Sequence, residues 1–459
     1  MRSNNRHSAR PGSSIALAVA MLCGTALGTA ALETPAFAQK EEKPKYSRAF
    51  QKAYEPMVPL ANAEAVDEAA IRAAIPAMTQ AIETPDDKNA AGGLLLSVGG
   101  KIQDSAMQLQ GLNLMIESGK NNDRIGQFHY AAYQIHNRDG NIPAAREALI
   151  KASETGYSFE GRMSDGTSQT IDAGDLRAMA AETYFEQDQY EAGLDDLLAW
   201  LKSREAAGQP IKESWIRRGF ATAFNNQLPQ QATEFGAFFL QHYPSANVWA
   251  DAIAVQNGFF EYDAQEVLDL MRLARRTGVL SPDRLASMDL EPDREEQIRG
   301  SLVRFYLDYA DAADFRRLPG EVKGVLDEGV ANGVLDASDV TVSDWLNGAN
   351  GRIADDQSEL PALERDARSG SELATVTAAA DAFLSYGEMA KAEEFYTKAL
   401  TLPGVDTPRT LTRLGIAQAD QGKYAEAIAT FGKVEGKREQ IARLWSIYAE
   451  QKAKQAPSA

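Results

Sequence analysis

A short pattern that recurs along this 459-residue chain constrains its fold more than any other feature. The pattern is a glycine, a spacer, a bulky apolar residue, two spacers and a small residue. It reads GKYAEA at residues 422–427, GEMAKA at 387–392, GNIPAA at 140–145 and GKIQDS at 100–105. DQYEAG at residues 188–193 fits it with aspartate in the first position. Recurrence of this kind indicates a repeated structural unit.

The residues around GKYAEA predict two helices joined by a tight turn. Apolar and small residues recur there at helical spacing. They are Leu411, Leu414, Gly415 and Ala417 before the turn, and Ala427, Ile428, Phe431 and Val434 after it. We expect Gly422 to adopt a left-handed conformation that ends the first helix, Tyr424 to pack at the start of the second, and Ala427 to let the helices approach closely. Such a hairpin leaves apolar surface that only a neighbouring hairpin can cover.

The last two copies resemble the tetratricopeptide repeat, a helix–turn–helix unit of 34 residues. One carries LTRLG at residues 411–415 and then Ala427-x-x-x-Phe431, with Gln418 where the family has an aromatic residue. The other carries VTAAADAF at residues 376–383 and AEEFYTKA, which begins at Ala392. Its Gly387 precedes Gly422 by 35 residues. The resemblance implies an all-α fold, a right-handed superhelical solenoid of such repeats.

Earlier copies are degenerate, at residues 129–152 and 177–200, and the first, near 92–112, is barely recognisable. No strand-like alternation is long enough to compete with helix. Prolines and acidic or glycine-rich stretches mark breaks, including a loop candidate at 348–357. The predicted organisation is a signal peptide at 1–38, a mobile leader at 39–60, degenerate repeats at 61–280, a linker at 281–296, an irregular helical segment at 297–371, the best-matching pair at 372–436, a capping helix at 437–452 and a disordered tail at 453–459.

A second recurring sequence pattern predicts where helices end. EVLDLMRLARRTGVL at residues 266–280 and EVKGVLDEGVANGVL at 321–335 both run a helical pattern into Gly-Val-Leu. Glu154-Thr155-Gly156-Tyr157 ends a helix in a similar way. We interpret each glycine as a helix C-terminal stop, with an apolar residue folding back behind it.

The first 38 residues have the pattern of a secretory signal peptide. Three arginines precede an apolar run at residues 15–32, and the small-x-small end is Ala36-Phe37-Ala38. We expect cleavage between Ala38 and Gln39 and export of the mature chain to the periplasm. An uncleaved anchor is disfavoured by the glycines and threonines within the run. Lipid attachment at Cys23 is disfavoured because Leu22 is bulkier than a lipobox requires.

Charge and cysteine content exclude several classes of function. The chain has a net charge of −18, and loss of three arginines and one glutamate with the signal peptide would make it −20. Such charge argues against sequence-independent binding to nucleic acid or anionic lipid. The single cysteine lies in the signal peptide, so stability must come from packing alone. No second apolar stretch is long enough to span a membrane.

No residue constellation predicts catalysis, metal binding or a cofactor. His129 and His136 lie on one helix face, but at repeat positions that pack inward, and metal sites need more ligands. GGLLLSVGGK at residues 92–101 lacks the glycine spacing and the Ser or Thr of a phosphate loop. We therefore predict no enzyme activity and no cofactor. The alternative is a helical enzyme acting on cell-envelope glycan, of lytic transglycosylase or glycoside hydrolase type, and a deep cleft with two facing carboxylates would favour it.

The predicted function is an exported scaffold or adaptor that binds protein, possible settings being envelope assembly or quality control. Repeat proteins bind partners along a groove lined by first helices. In the resembled family, lysine and asparagine there clamp a peptide's terminal carboxylate, but this chain has other residues at those positions. An acidic groove is expected to meet a neutral or basic protein or peptide rather than nucleic acid. The groove candidates are Tyr130, Gln134, Thr377, Asp381, Thr412 and Ile416.

The last helical stretch, about residues 438–451, predicts a cap. Ile441, Leu444, Trp445 and Tyr448 form one apolar stripe, and no turn pattern follows them. We expect Trp445 to cover the open face of the last repeat, because a terminal repeat needs such a cap.

Overall fold

A computed structural model describes residues 44–456 except 64–65, 163–165 and 287–291. The predicted signal peptide, with its cleavage site between Ala38 and Gln39, lies outside the described residues. The described residues form 22 α-helices, two short 3-10 helices and one two-stranded sheet. The helices of the first half are α1 (Arg48–Tyr54), α2 (Met57–Asn62), α3 (Glu68–Gln80), α4 (Pro85–Lys101), α5 (Ser105–Glu117), α6 (Ile125–Arg138), α7 (Ile142–Glu154), α8 (Ala173–Phe185), α9 (Tyr190–Ala206) and α10 (Glu213–Asn225).

The remaining helices run to the end of the described chain. They are α11 (Pro229–His242), α12 (Ala246–Phe259), α13 (Ala264–Arg276), α14 (Asp283–Ala286), α15 (Pro292–Ala313), α16 (Pro319–Ala331), α17 (Val340–Ser369), α18 (Leu373–Ser385), α19 (Met389–Ala399), α20 (Thr407–Asp420), α21 (Tyr424–Phe431) and α22 (Glu439–Gln455). The 3-10 helices are Asn122–Arg124 and Gly436–Arg438. The chain divides into two compact units, and the boundary between Leu197 and Leu198 falls within α9.

In the first unit, helices pack mainly against their neighbours in sequence. α4 packs on α5, α5 on α6, α6 on α7 and α7 on α8. The predicted turns lie between paired helices, since Gly140 (φ +72°) joins α6 to α7 and Asp188 (φ +56°) joins α8 to α9. Aspartate tolerates this left-handed conformation better than most residues. It thus replaces the first glycine of the pattern without loss of the turn.

The GKIQDS copy was assigned to the wrong position. Gly100 lies inside α4, which runs to Lys101, and the left-handed residue of this turn is Gln103 (φ +57°). Asp104 then caps α5 by accepting a hydrogen bond from the backbone N–H of Met107. The turn therefore forms three residues after the place that the pattern indicated.

The first unit contains a β-hairpin that the sequence analysis missed. Strands β1 (Phe159–Arg162) and β2 (Ser168–Ile171) pair antiparallel between α7 and α8. Gly156 (φ +75°) ends α7, as the sequence Glu154-Thr155-Gly156-Tyr157 predicted. Ile171 is buried against the α7–α8 core, so the hairpin gains apolar packing that a free two-stranded sheet lacks.

The predicted mobile leader also differs from the structure. From residue 44 onward it is ordered, with α1, α2 and a Ser47 N-cap. Phe50 and Met57 are fully buried in a core that includes α3 and α4. Pro56 and Pro59 lie at the start of α2, where a missing N–H costs little. Prolines here begin a helix and do not indicate mobility.

In the second unit, helical hairpins again form from sequence neighbours. α10 packs on α11, α15 on α16, α18 on α19 and α20 on α21. Gly387 (φ +79°) and Gly422 (φ +78°) turn the two best-matching repeats. Gly278 and Gly333 end α13 and α16 with left-handed backbones, and the Val-Leu pair behind each is buried, as predicted. The predicted all-α fold of helix–turn–helix repeats is confirmed for the described residues.

The region between the linker and the last repeats is more regular than predicted. α14 and the start of α15 lie within the predicted linker, and α17 is a single helix of 30 residues. The loop expected at residues 348–357 lies inside it. Gly348 allows the Phe315 ring to approach, since a Cβ there would lie 2.6 Å from a ring atom. This glycine is therefore used for close packing and does not break the helix.

The C-terminal helix does more than cap the last repeat. Trp445 is fully buried and stacks near Phe431 of α21, with ring centroids 6.2 Å apart. However, α22 also packs on α11 and α13, and Trp445 Nε1 donates to the backbone oxygen of Asp269 at 3.0 Å. The helix extends to Gln455, so residues 453–455 of the predicted tail are helical. The second unit thus joins its end to α13, 169–176 positions earlier in sequence, and to α11, 209–211 positions earlier.

Candidate functional site

A polar pocket in the second unit lies where three helical segments begin. α13, α20 and the 3-10 turn before α22 surround a cavity of about 300 Å³. Its charged lining consists of three cations and four carboxylates. The cations are Arg409, Lys437 and Arg438, and the carboxylates are Asp263, Glu266, Asp406 and Glu435.

Beneath this pocket lies the fully buried carboxylate of Asp269, on α13. Three arginines bind it: Arg413 through Nε at 3.1 Å from Oδ1, Arg272 through Nη1 at 3.0 Å from Oδ1, and Arg438 through Nη1 at 2.6 Å from Oδ2. Arg413 lies on α20, and Arg438 lies on the 3-10 helix before α22. The ion pairs therefore join elements that are far apart in sequence.

Two further carboxylates extend this network: Glu321, which is buried, and Asp381, whose side chain is 14% exposed. Glu321 accepts hydrogen bonds from Arg272 Nε at 2.8 Å and Nη2 at 2.6 Å, and from the Tyr309 hydroxyl at 2.8 Å. Asp381 accepts from Arg413 Nη1 at 2.7 Å, from Arg409 Nη2 at 2.5 Å and from the Tyr396 hydroxyl at 2.6 Å.

We define the buried network as these seven groups, and its charges do not balance. Four arginines face three carboxylates: Arg272, Arg409, Arg413 and Arg438 against Asp269, Glu321 and Asp381. Arg272 and Arg413 each pair with two carboxylates, whereas Arg409 and Arg438 each pair with one. The latter two also line the pocket. The one positive charge in excess within these seven groups therefore lies on the two arginines that line the pocket, where the four carboxylates of the lining are their neighbours.

Protonation of the network follows from these contacts. Burial alone would raise the pKa of Asp269, but the charges of Arg413, Arg438 and Arg272 hold it below its usual range. Burial likewise opposes ionisation of Glu321 and Asp381, and their arginine partners lower the pKa of each. By contrast, burial and then the positive charge of Arg413 lower the pKa of Arg409. Arg409 is therefore an incompletely compensated cation.

Most carboxylates around the pocket already have partners. Asp263 accepts from the backbone N–H groups of Gln265 and Glu266, and Asp406 accepts from that of Arg409. Glu266 accepts from the Asp263 N–H and lies 3.0 Å from the Lys437 ammonium. These three carboxylates cap helices or pair with lysine, as expected at helix N-termini.

The predicted groove residues do not form one accessible surface. Thr412 and Ile416 are fully buried, and Asp381 belongs to the buried network. A partner cannot contact Thr412 or Ile416 in this conformation, because these positions on the first helix face neighbouring helices. Thr377 is half-buried and donates to the backbone oxygen of Leu373.

Tyr130 and Gln134, the two groove candidates of the first unit, lie on α6. Tyr130 is buried against Phe159, with ring centroids 4.7 Å apart, and Gln134 is half-buried. Burial, with Tyr133 nearby, raises the pKa of Tyr130 to about 12. The β-hairpin thus covers a position that the repeat pattern had assigned to a groove.

The repeat positions lie where a packed hairpin requires them. Ala392, Leu414, Ala427 and Phe431 are buried, and Tyr424 is half-buried at the first position of α21. A Cβ on Gly415 would lie 2.4 Å from the Phe431 ring. A glycine at this position therefore permits close contact between α20 and α21.

Sequence reasoning missed the arginines of the network. One signal was present, since Arg413 lies between Leu411 and Leu414, and Asp269 between Leu268 and Leu270. A charge within such an apolar run indicates a buried ion pair. The partner of each charge could not be identified, because the two positions are 144 residues apart.

Within the described ranges, no helix has both the length and the apolar character needed to cross a membrane. Among the same residues, no group of three or more His, Cys, Asp or Glu side chains is arranged to hold a metal ion.

No family model matches the chain, and no curated protein matches it. Solved structures with partial similarity include Naa15/Naa10 bound to HypK-THB, at 12% identity over 82% of this chain with a TM-score of 0.24. This chain spans 63% of the length of that one. The Cut9-Hcn1 hetero-tetramer of APC/C matches at 14% identity, 81% and 68% coverage and a TM-score of 0.21. The P58(IPK) TPR domain matches at 12% identity, 88% and 98% coverage and a TM-score of 0.18. Superpositions this loose carry no information about function.

Proposed function

We propose that this protein is a helical-repeat scaffold or adaptor whose role is to bind other proteins. The observation that supports the proposal is the repeated pairing of sequence-neighbour helices through left-handed turns at Gly140, Asp188, Gly387 and Gly422. Arrays of this kind present broad surfaces that bind peptides or domains. The charged pocket of the second unit adds a concave, polar feature to one such surface.

The proposed location is the periplasm, with a role in envelope assembly or quality control. This part rests on the signal-peptide pattern of residues 1–38, which lie outside the described residues. Fractionation of cells that produce the full chain tests it directly. We expect a soluble periplasmic protein whose N-terminus, read by mass spectrometry, is Gln39. An intact N-terminus, or a membrane-bound form that resists carbonate extraction, would contradict export.

Site-specific photo-crosslinking tests partner binding. A photoreactive amino acid is placed at exposed Glu435 beside the pocket and, as the matched control, at exposed Asp327 on α16. We expect crosslinks to a defined protein from Glu435, which excess unlabelled chain reduces, and none of that species from Asp327. Absence of any competable crosslink from Glu435 and from further exposed positions along the hairpins, together with cleavage of envelope glycan by the purified chain, would reverse the proposal.

A further inference from the structure

Arg438 has binding capacity that the fold does not use. Its side chain is 6% exposed and lines the pocket, and it contacts Asp269 through Nη1. Within the described part of the chain, its Nε and Nη2 have no hydrogen-bond partner. A guanidinium group offers five N–H donors in a planar fork that matches a carboxylate. A buried arginine with unused donors at a cavity wall therefore favours an incoming anion.

Arg409 is a second arginine that lines the pocket. It uses Nη2 for Asp381, with 28% of its side chain exposed. Burial and the charge of Arg413 lower its pKa, which means that the local environment does not fully compensate its charge. Lys437, although more exposed, adds a third cation to the lining. An anion between Arg409 and Arg438 would supply the negative charge that the buried network lacks.

The surroundings favour a carboxylate over a phosphate. Four carboxylates line the same cavity, and like charges repel more strongly when the ligand carries two negative charges. A singly charged carboxylate gains the two arginines and meets less of this repulsion. The cavity volume of about 300 Å³ is at the lower end of ligand sites, which suits one side chain.

We propose that this pocket binds a carboxylate group between Arg409 and Arg438, presented by an acidic side chain of a protein partner. The identity of the carrier rests on the proposed scaffold function, whereas the chemistry of the bound group rests on the pocket itself. The whole chain is acidic and was expected to meet a neutral or basic partner. At this pocket, the proposed site instead binds an acidic group of the partner.

Titration calorimetry with blocked peptides tests the inference. One peptide carries a single glutamate in a glycine–serine context with both termini blocked, and its control carries glutamine instead. We expect the glutamate peptide to bind at least about tenfold more tightly, as expected for charge-assisted hydrogen bonds to arginine. Butyrate, a small-molecule probe with a single negative charge, should compete for the same site. Equal binding of both peptides, or binding of neither, would overturn the proposal.

Variants connect the binding to the named residues. Arg438→Lys keeps the charge but loses the fork, so affinity for the glutamate peptide should fall about tenfold. Arg443→Lys, in the ion pair with Glu234 outside the pocket, is the matched control and should leave affinity unchanged. Glu435→Gln removes a repelling carboxylate and should raise affinity about twofold. A variant that damages the fold would lose affinity, so a gain in Glu435→Gln indicates an effect on recognition itself. If Glu435→Gln shows no gain and Arg438→Lys binds the glutamate peptide as well as wild type does, the assignment of the site to this pocket is wrong.

The possible carriers give different results. Binding of butyrate but not of the glutamate peptide would show that the ligand is a small carboxylate and would overturn the assignment to a protein side chain. If Glu435 crosslinks to a partner but the chain binds the two peptides equally, the scaffold function is supported and the carboxylate site is overturned. A chain that binds the glutamate peptide, crosslinks no protein and cleaves envelope glycan would support the pocket and reverse the scaffold proposal.

Discussion

The two compact units build their interiors differently. The cores of the first unit are mainly apolar and join helices adjacent in sequence, as in the α6–α8 core around Leu149 and Leu176. The second unit buries the carboxylates of Asp269 and Glu321 and joins α13 to helices more than 140 positions later. Contacts between neighbours can form and break locally. Contacts between distant segments must form together, so the second unit should unfold more cooperatively.

The largest expected effect is on the second unit, from Asp269→Asn. The change keeps the shape of the side chain but leaves Arg272, Arg413 and Arg438 with one carboxylate fewer. Breaking a buried ion pair in this way typically costs 3–5 kcal/mol, and we expect about 5 kcal/mol because three arginines are affected. Urea unfolding measures the loss. Asp327→Asn, in an exposed i,i+4 pair with Lys323, should cost less than about 0.5 kcal/mol. Equal losses would refute the role of the network.

Trp445→Ala should cost about 4 kcal/mol, the usual range for a fully buried tryptophan. Because Trp445 packs near Phe431 and donates to Asp269, the loss should reach both the α20–α21 repeat and α13. Hydrogen exchange on wild type and variant tests this, with lower protection expected in α13 as well as in residues 372–436. Protection lost only in the last repeats would restore the simple cap that the sequence predicted. Unchanged protection in both regions would mean that the helix stabilises neither.

In the first unit, Leu149→Ala should have a more local effect. Leu149 is fully buried in the α6–α8 core, so its loss should cost about 3 kcal/mol. Hydrogen exchange should show lower protection in α6, α7 and α8, while α1–α3 keep theirs, since those helices belong to a separate core. A uniform loss across the whole unit would contradict the contrast between local and long-range packing.

Acid should weaken the second unit through the same carboxylates. The arginines hold the folded pKa of Asp269 below the value of about 3.9 for an unfolded chain. The stabilisation is therefore present above about pH 4 and is lost as pH falls through the folded pKa. The loss in the free energy of unfolding is about 1.4 kcal/mol for each pH unit that separates the folded pKa from the unfolded one. Urea unfolding at pH 5 and pH 3 should show a smaller difference between wild type and Asp269→Asn at pH 3. An equal difference at both pH values would show that the pKa of Asp269 is not lowered in the folded protein.

Local features of the fold could be predicted from sequence, and long-range ones could not. The turns at Gly422 and Gly278 could be predicted because a left-handed backbone favours glycine at that one position. The β-hairpin escaped notice because its strands have only four residues each and depend on Ile171 packing against the helices. The pocket could not be predicted because Arg409 and Arg438 come to line one cavity only after the chain folds. An apolar stripe shows that a helix is buried but does not identify what covers it.

The smallest effects come from two glycines that share one sequence pattern. Gly422 (φ +78°) supplies the left-handed turn between α20 and α21, whereas Gly100 lies within α4. A Cβ meets nothing within 4 Å at either site, so backbone conformation alone decides the result. Gly422→Ala should destabilise by about 1–2 kcal/mol, because alanine is strained in the left-handed region. Gly100→Ala should instead stabilise by about 0.5–1 kcal/mol, because glycine is entropically unfavourable inside a helix. Thermal unfolding of the two variants measures the pair, and changes of the same sign would contradict the placement of one of these turns.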